Sequence, residues 1–438
     1  MKSKGVNSRV DRRTLLKLMG GSCFAAGMPM SITPALGAEP DRFWVMVNAG
    51  GGWDPTMLID PKGDAPRSDG RGPVNNFAAN VIRTAGNITY AGGYAEDSEE
   101  PEEGSSGHLE TFFQKHASRL LVINGIDTET NNHDAGSRFI WSGKIEAGYP
   151  SFGALVAASI APEQPLSFIS NGGYDFTASL VAPARVAGSS TFQQLAYPNA
   201  ASPHHEEGSR NPYFSSTVYE KIEAARQARL ERLIRQSTLP LKTRQMQQLQ
   251  TVRSEDNNLN RLVAALPDRI SNGLAGQAEV AVASFTSGLA VSANLSMGGF
   301  DTHGNHDRNQ ARRLTQLLEG IDALWEQIEA NNLQNNVTVL VGSDFGRTPF
   351  YNSNRGKDHW NITSIMAMGA GIRGNRVIGG TDSLFEARKV NPQTLAIDNN
   401  GITITPQHLH VALRDLAGVP SDLDSQFGIQ AELLPLFS

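Results

Sequence analysis

Acidic and imidazole side chains recur in short groups along the sequence, most of them just after a run of apolar residues. The groups are Asp54, Asn132-His133, Asp301-Thr302-His303, Asp344 and Lys357-Asp358-His359. Imidazole-rich sets of such side chains bind Zn²⁺, whereas carboxylate-rich sets prefer Mn²⁺ or Mg²⁺. We therefore predict a divalent metal site for Zn²⁺, Mn²⁺ or Mg²⁺ with these ligands: Asp54, Asp301, His303, Asp344 and His359.

Two further residues of these regions are predicted to act in catalysis. Arg347 follows Asp344 closely, and its planar guanidinium can meet a phosphate or sulfate. One bound metal would polarise an ester oxygen, and two would hold both the attacking and the leaving oxygen. We predict His133 and Arg347 as catalytic residues, and a small anionic ester or glycan as the substrate.

Other interpretations of the same residues stay open. Asp54 follows a run of glycines and could merely cap a turn, while Asp301 with His303 could be a capping pair at a helix start. His306 lies in the first turn of the next predicted helix, where a solvated side chain is the more common case. The position of Asp301 directly after Gly-Gly-Phe, at the end of a predicted strand, favours a ligand.

Cysteine content and charge exclude several other kinds of site. The chain has 438 residues, a formal net charge of −6 and a single cysteine, Cys23. Without residues 1–38 it loses six basic residues and one acidic residue, which leaves a net charge of −11 and no cysteine. We therefore expect no disulfide and no thiolate ligand. Because an acidic surface repels polyanions, nucleic acid and anionic lipid are not expected partners.

The N-terminal segment reads as an export signal. Its sequence Asp11-Arg12-Arg13-Thr14-Leu15-Leu16-Lys17 matches the twin-arginine pattern, a weakly apolar stretch follows, and Pro34-Ala35-Leu36-Gly37-Ala38 supplies small residues for cleavage. We predict a twin-arginine signal peptide at residues 1–38 and a periplasmic or secreted mature protein. The apolar stretch is too short to span a bilayer, so no stable membrane span is expected after cleavage.

The polar groups are positioned by alternating strand and helix patterns. Apolar runs at residues 43–47, 120–123, 290–295 and 337–341 predict buried strands, each ahead of one polar group, and residues 166–169 and 362–368 predict two more. Predicted helices cover residues 152–160, 280–289, 308–330 and 408–416. This alternation predicts an α/β fold with a mostly parallel sheet and helices on both faces. Ligands bind beyond the carboxyl ends of such strands, so we expect the polar groups to converge there.

A segment at about residues 213–266 differs in character from the rest of the chain. It is rich in Glu, Arg, Gln and Leu with amphipathic spacing, and Pro240 interrupts it. We predict a helical hairpin inserted into a single α/β domain at residues 39–438. A solvated cap is its expected role, and a face that binds a protein partner is the alternative.

Three motifs in a fixed order resemble a known bacterial family. These are Gly-Gly-Phe-Asp-Thr-His at 298–303, Ser-Asp-Phe-Gly-Arg-Thr-Pro at 343–349 and Asp-His at 358–359, with a long predicted helix after the first. Together with the twin-arginine signal they resemble the family catalogued as domain of unknown function 1501. That family is similar to the alkaline phosphatase and sulfatase superfamily, which implies an alkaline-phosphatase-like fold across most of the mature chain.

The resemblance also implies roles for the predicted ligands. Asp54 would be the acid of a first metal, Asp301 and His303 the acid and histidine of a second, Asp344 the acid of the next strand and His359 a late histidine. Two departures concern catalysis. Phe345 stands where the superfamily often has histidine, and Asn132 stands where many relatives carry the serine of a nucleophile loop, which leaves Thr128 and Thr130 as substitutes.

Two functions are consistent with this pattern. The first is an exported metal-dependent hydrolase of phosphate or sulfate esters, as the acids and imidazoles suggest. The second is a non-catalytic periplasmic or surface-assembly protein on a degenerate hydrolase fold, as Asn132, Phe345 and the inserted helices suggest.

Overall fold

A computed structural model describes most of the chain after residue 41. The described residues are 42–93, 105–162, 164, 166–185, 193–194, 196–201, 211–240, 242–243, 245–247, 259–267 and 269–438. The predicted signal peptide at residues 1–38 lies outside this part of the chain and stays a prediction.

An eight-stranded sheet forms the centre of the domain, in the order β12-β4-β11-β8-β1-β7-β5-β6. Every strand in it runs parallel to the others except β11, which is antiparallel to both of its neighbours. Two short ribbons, β2-β3 and β9-β10, lie outside it. The strands are β1 Phe43–Ala49, β2 Ile82–Ala85, β3 Ile88–Ala91, β4 Leu120–Asp127, β5 Phe168–Ser170, β6 Pro183–Ala184, β7 Ser292–Met297, β8 Val337–Gly342, β9 Gly346–Arg347, β10 His359–Trp360, β11 Ile362–Gly369 and β12 Arg376–Gly379.

Helices connect the strands and cover the sheet. They are α1 Ser105–His116, α2 His133–Ser142, α3 Phe152–Ile160, α4 Ser216–Gln236, α5 Leu259–Ala265, α6 Gly273–Thr286, α7 His306–Ala330, α8 Pro406–Ala417 and α9 Ser421–Gln426. Strand β1 shows why both faces need cover, because every one of its residues is buried. Its Val45 packs in one hydrophobic core and its Trp44 in a second core, since successive side chains of a strand point to opposite faces. The mostly parallel α/β sheet predicted from the sequence is confirmed.

The direction of β11 decides what lies at the functional edge of the sheet. A parallel strand carries functional residues after its last residue, but an antiparallel strand begins at that same edge. His359 lies shortly before β11 and therefore reaches the edge where β1, β7 and β8 end. The sequence pattern identified this strand but not its direction.

The structure describes the predicted insertion only in part. Helix α4 has no buried residue, and α5 buries Leu259 and Leu262. Much of the chain between these helices lies outside the described residues, so the helical hairpin is not confirmed. Among the described residues, no helix combines the length and apolarity needed to cross a membrane.

Candidate metal centre

Three histidines surround the carboxylate of Asp301 at the carboxyl edge of the sheet. His303 Nε2 lies 3.0 Å and His359 Nε2 3.1 Å from Asp301 Oδ1, while His133 Nε2 lies 3.6 Å from Oδ2. The two atoms His303 Nε2 and His359 Nε2 are 2.9 Å apart. We call Asp301, His133, His303 and His359 the outer cluster, because Asp301 is 47% exposed and His303 is 46% exposed.

The second ring nitrogen of each histidine is already engaged. His133 Nδ1 lies 2.5 Å from Asp344 Oδ2, His303 Nδ1 lies 2.8 Å from Asp358 Oδ1, and His359 Nδ1 lies 2.8 Å from the Asn131 carbonyl oxygen. An ionised carboxylate and a carbonyl only accept hydrogen bonds, so each Nδ1 must carry the proton. In the neutral ring, Nε2 then presents a lone pair toward Asp301. Three residues of this cluster, His133, Asp301 and His359, have ligand atoms close enough together that they could hold one metal ion, and hydrogen-bonded Nδ1–H groups of this kind are typical of metal-binding histidines.

The elements that carry these residues converge because of where they begin and end. Asp301 and His303 follow β7, and His359 shortly precedes the antiparallel β11. His133 begins α2, whose N-cap is Asn132, with Asn132 Oδ1 accepting from the Ala135 N–H. The Asn132 side chain therefore closes a helix end, which orients the next residue.

Asp344 orients a histidine and the loop after β1. Its Oδ1 accepts hydrogen bonds from the backbone N–H groups of Gly51 at 3.0 Å and Gly52 at 2.7 Å. Both glycines have positive φ, 118° and 80°, and a Cβ on Gly51 would lie 2.6 Å from the Asp301 nitrogen. Only glycine fits this approach. Asp344, predicted as a ligand, instead supports His133 from behind.

Arg347 is buried and is not available to a substrate. Its side chain has no exposed surface. Nε donates to the Gly52 carbonyl at 2.8 Å, Nη1 to the Lys357 carbonyl at 3.0 Å, and Nη2 to the Gly51 carbonyl and to Asp301. The predicted phosphate-binding role is not supported by this geometry. Arg347 holds Asp301 in place.

Local charges set the protonation of the outer cluster. Burial raises the pKa of Asp301, but the hydrogen bond and charge of Arg347, together with the contact with His359, outweigh this effect and lower it to about 2. The hydrogen bond with Asp344 raises the pKa of His133 above its ordinary value. Asp301 is thus a permanent anion at neutral pH, as a metal ligand must be.

A second acid–histidine group, which we call the inner cluster, lies in the interior and consists of Asp54, Thr56, Asn75, His306 and Lys357. All five residues are completely buried. Asp54 Oδ2 accepts from Lys357 Nζ at 2.7 Å and from His306 Nε2 at 2.9 Å. Its Oδ1 accepts from the backbone and hydroxyl of Thr56 at 2.9 and 2.6 Å. Asp54 was predicted as a metal ligand, but here it is paired with an ammonium group.

Charge is balanced internally in the inner cluster. Burial raises the pKa of Asp54, but Lys357 and His306 outweigh it and hold that pKa far below its usual range. Burial lowers the pKa of His306, so its ring is neutral at neutral pH. The expectation of a solvated His306 is therefore wrong.

The two threonine hydroxyls named from the sequence have different environments. Thr128 Oγ1 is buried and donates to the Asn361 carbonyl at 2.8 Å, and Thr130 Oγ1 accepts from the Asn132 N–H at 3.2 Å. Phe345 is fully buried and its ring centroid lies 4.8 Å from that of His133 and 4.5 Å from that of His359. It forms an apolar support beneath two histidines.

The structure thus brings together part of the predicted site. Asp301, His303 and His359 lie together, and His133, predicted as a catalytic residue, lies beside Asp301 with them. The group whose ligand atoms could hold one ion together consists of His133, Asp301 and His359. Asp344 lies behind them, and Asp54 belongs to a separate cluster. Sequence reasoning missed Thr56, Asn75 and the pairing of Lys357, because ordinary polar residues in loops carry no signal of burial.

Comparison with known proteins agrees with the motifs. The sequence matches the family described as "Protein of unknown function (DUF1501)" over residues 42–409. The chain belongs to the DUF1501 family. No curated protein matches this sequence.

Several solved structures match this DUF1501 chain over most of its length at low identity. A putative sulfatase from Bacteroides thetaiotaomicron is 10% identical with a TM-score of 0.33, covering 90% of this chain and 76% of that one. The alkaline phosphatase of the Antarctic bacterium TAB5 is 9% identical with a TM-score of 0.33, covering 78% and 95%. The C-terminal periplasmic domain of EcEptC from Escherichia coli is 10% identical with a TM-score of 0.36, covering 92% and 88%. Likeness at this level assigns no role to any residue.

Proposed function

We propose that this protein is exported, holds one divalent metal ion in the outer cluster and uses it to hydrolyse a phosphate or sulfate ester. The observation that carries the proposal is the convergence of three imidazole lone pairs on the Asp301 carboxylate. Each imidazole is fixed by its Nδ1 partner, which is Asp344, Asp358 or the Asn131 carbonyl. Three nitrogens and one oxygen suit Zn²⁺ or Mn²⁺ better than Mg²⁺, which prefers oxygen ligands.

The exposure of the outer cluster supports a reactive site rather than a closed structural one. Asp301, His303 and His133 each leave at least 40% of the side chain exposed, so an ester and a water can reach the donors. A bound divalent ion would polarise the ester oxygen and acidify a water. Arg347 keeps Asp301 ionised and in place, while Phe345 supports His133 and His359 from below.

Water is the proposed nucleophile. Thr128 and Thr130 are engaged with the local backbone, and Asn132 caps a helix. A covalent intermediate on this loop is therefore not part of the proposal. The expected substrate is a small anionic ester or glycan, since the acidic surface of the mature chain disfavours nucleic acid.

A non-catalytic role is the second candidate, and the burial of Arg347 favours it. The one cation that the sequence offered for an oxyanion is enclosed among three carbonyls and Asp301. In this case the metal would stabilise the outer cluster, and the exposed helix α4 would bind a protein partner during periplasmic or surface assembly.

The experiment that separates these functions begins with cell fractionation of the full chain, which we expect to place it outside the cytoplasm. Metal analysis of the exported protein should then give one Zn²⁺ or Mn²⁺ per chain, and a panel of aryl phosphate and sulfate esters should show turnover that a chelator abolishes. A folded protein without metal contradicts the proposed site. Stoichiometric metal without turnover on any ester would favour the non-catalytic role.

A further inference from the structure

The inner cluster gathers four potential metal donors around one ammonium group. Lys357 Nζ lies 2.7 Å from Asp54 Oδ2, 2.7 Å from Asn75 Oδ1 and 3.5 Å from Thr56 Oγ1. His306 Nε2 approaches the same Asp54 Oδ2 at 2.9 Å. A carboxylate, an amide oxygen, a hydroxyl and an imidazole thus meet in a region closed to solvent.

These donors would suit a divalent ion if the ammonium were absent. Three oxygens of different types and one imidazole nitrogen form the kind of oxygen-rich set that Mn²⁺ or Mg²⁺ prefers. In the folded chain the same oxygens accept from the ammonium, which supplies the positive charge that a buried carboxylate requires. The Lys357 side chain therefore occupies the place of a cation.

We propose that the Lys357 ammonium fills a cation position within the inner cluster, so that removing it turns the inner donors into a divalent metal site. The count of one metal in the native chain rests on the proposed function. The gain of an ion on removal of the ammonium does not, because it depends only on the inner cluster.

His306 can change its donor pattern to suit such an ion. Its Nδ1 lies 2.7 Å from Thr302 Oγ1, and that hydroxyl also lies 3.4 Å from the Phe300 carbonyl. While Nε2–H donates to Asp54, Nδ1 accepts from the hydroxyl. If Nε2 bound a metal, Nδ1–H would donate to the hydroxyl, which would turn to Phe300. One proton moves between the ring nitrogens, and no group is left unpaired.

The ammonium has a consequence for the chemistry of the outer cluster. Two divalent ions could clamp both the attacking and the leaving oxygen of an ester, but a lysine offers a fixed single charge and no open coordination position. If the outer cluster holds the proposed ion, the native protein therefore holds one metal ion. Lys357 also lies directly before Asp358 and His359, and its carbonyl accepts a hydrogen bond from Arg347. The ion pair of Lys357 with Asp54 therefore anchors the segment that carries His359 of the outer cluster.

The test is the metal content of Lys357→Ala, with Mn²⁺ as the probe. This variant removes the ammonium and leaves room for an ion, and we expect about one more Mn²⁺ per chain than in the native protein after saturation and desalting. We also expect Mn²⁺ to raise its unfolding temperature. The control is the double variant Asp54→Asn/Lys357→Met. Its methionine fills the space of the lysine, neither new side chain is charged, and we expect it to gain no ion.

Every outcome of this test bears on the inference. If Lys357→Ala is folded and holds no more Mn²⁺ than the native chain, the inference is wrong, whatever the outer cluster binds. If the native chain holds no metal but Lys357→Ala gains one ion, the proposed function fails and the inference stands. If Lys357→Ala does not fold even with Mn²⁺ present while the control folds, the inner donors cannot hold an ion and the inference is overturned.

Discussion

The outer and inner clusters are built from the same kinds of residue near one edge of one sheet, yet they differ in burial and in the groups that face each carboxylate. Asp54 is completely buried, and its charge is balanced by Lys357. Asp301 is 47% exposed and faces three imidazoles, with Arg347 behind it. The difference teaches that burial forces a carboxylate to find its cation within the chain, whereas partial exposure lets a site keep lone pairs for an external one.

The largest effect should come from removing the centre of the outer cluster. We expect Asp301→Ala to stay folded but to bind no metal at a one-to-one ratio. The Asp301 carboxylate is the only acid in the outer cluster, and the Nε2 atoms of all three histidines face it. Metal analysis with a thermal unfolding curve measures both. Asp415→Ala, which removes an exposed acid from α8, is the matched control. Native metal content in Asp301→Ala would show that the outer cluster is not the site.

The ion pair of Asp54 and Lys357 in the inner cluster should contribute more to the free energy of unfolding than Asp301 in the outer cluster does. In chelator-treated protein, Asp54→Ala leaves a buried ammonium unpaired and should lower the free energy of unfolding by about 3–5 kcal/mol. Asp301→Ala should cost less than Asp54→Ala, because Asp301 is 47% exposed and the buried Arg347 keeps its three carbonyl acceptors when Asp301 is removed. Denaturant unfolding compares the two variants, and similar costs would contradict the distinction between the clusters.

The residues behind the histidines should have graded effects on metal affinity. Asp344→Asn should weaken binding by about 10–100-fold, because it disturbs the orientation and basicity of His133. Asp358→Asn should have a smaller effect, since Asp358 is half exposed and water can replace it at His303. Competition with a chelator measures both affinities, and a reversed order would argue against this support by buried carboxylates.

The smallest effects should appear in the pH dependence of the metal-free protein. Burial lowers the pKa of His306, so the unfolded state binds its proton first and stability falls as pH drops below the unfolded value of about 6.5. Asp344 raises the pKa of His133, so that contribution is complete below the unfolded value and is lost as pH rises through the folded one. His306→Gln should flatten the acid side and His133→Gln the alkaline side of the unfolding free energy against pH. If both variants changed the same side of the curve of unfolding free energy against pH, the opposite contributions of His306 and His133 would be contradicted.

The sequence predicts the strands of the sheet better than it predicts how the site residues are brought together. Strands β1, β7 and β8 are predicted from short apolar runs, because these strands are buried on both faces. The polar residues that follow them lie at one edge of the sheet, because neighbouring parallel strands end at the same edge. Strand β11 was recognised for the same reason. Its antiparallel direction left no trace in its own residues, although that direction brings His359 to the edge.

Asp54 and Asp301 show how far residue types alone can lead. Each follows glycine-rich sequence after a strand, and both are predicted as ligands, with Asp301 the more strongly favoured. The local sequence does not reveal that Asp54 is paired, because its partner, Lys357, lies 303 residues away in the chain. Arg347 was likewise assigned to a substrate, since the carbonyls that enclose it come from loops distant in sequence.

Residue composition and motif order were enough to establish the family, the α/β class and the general place of the acids and histidines, because these depend on local apolar patterning and on the rule that parallel strands end at one edge. Which carboxylate is open to solvent and which is enclosed depends on burial and on contacts between distant segments. Electrostatic free energy is set by those contacts, so only the tertiary structure could divide one set of similar residues into an open cluster and a closed one.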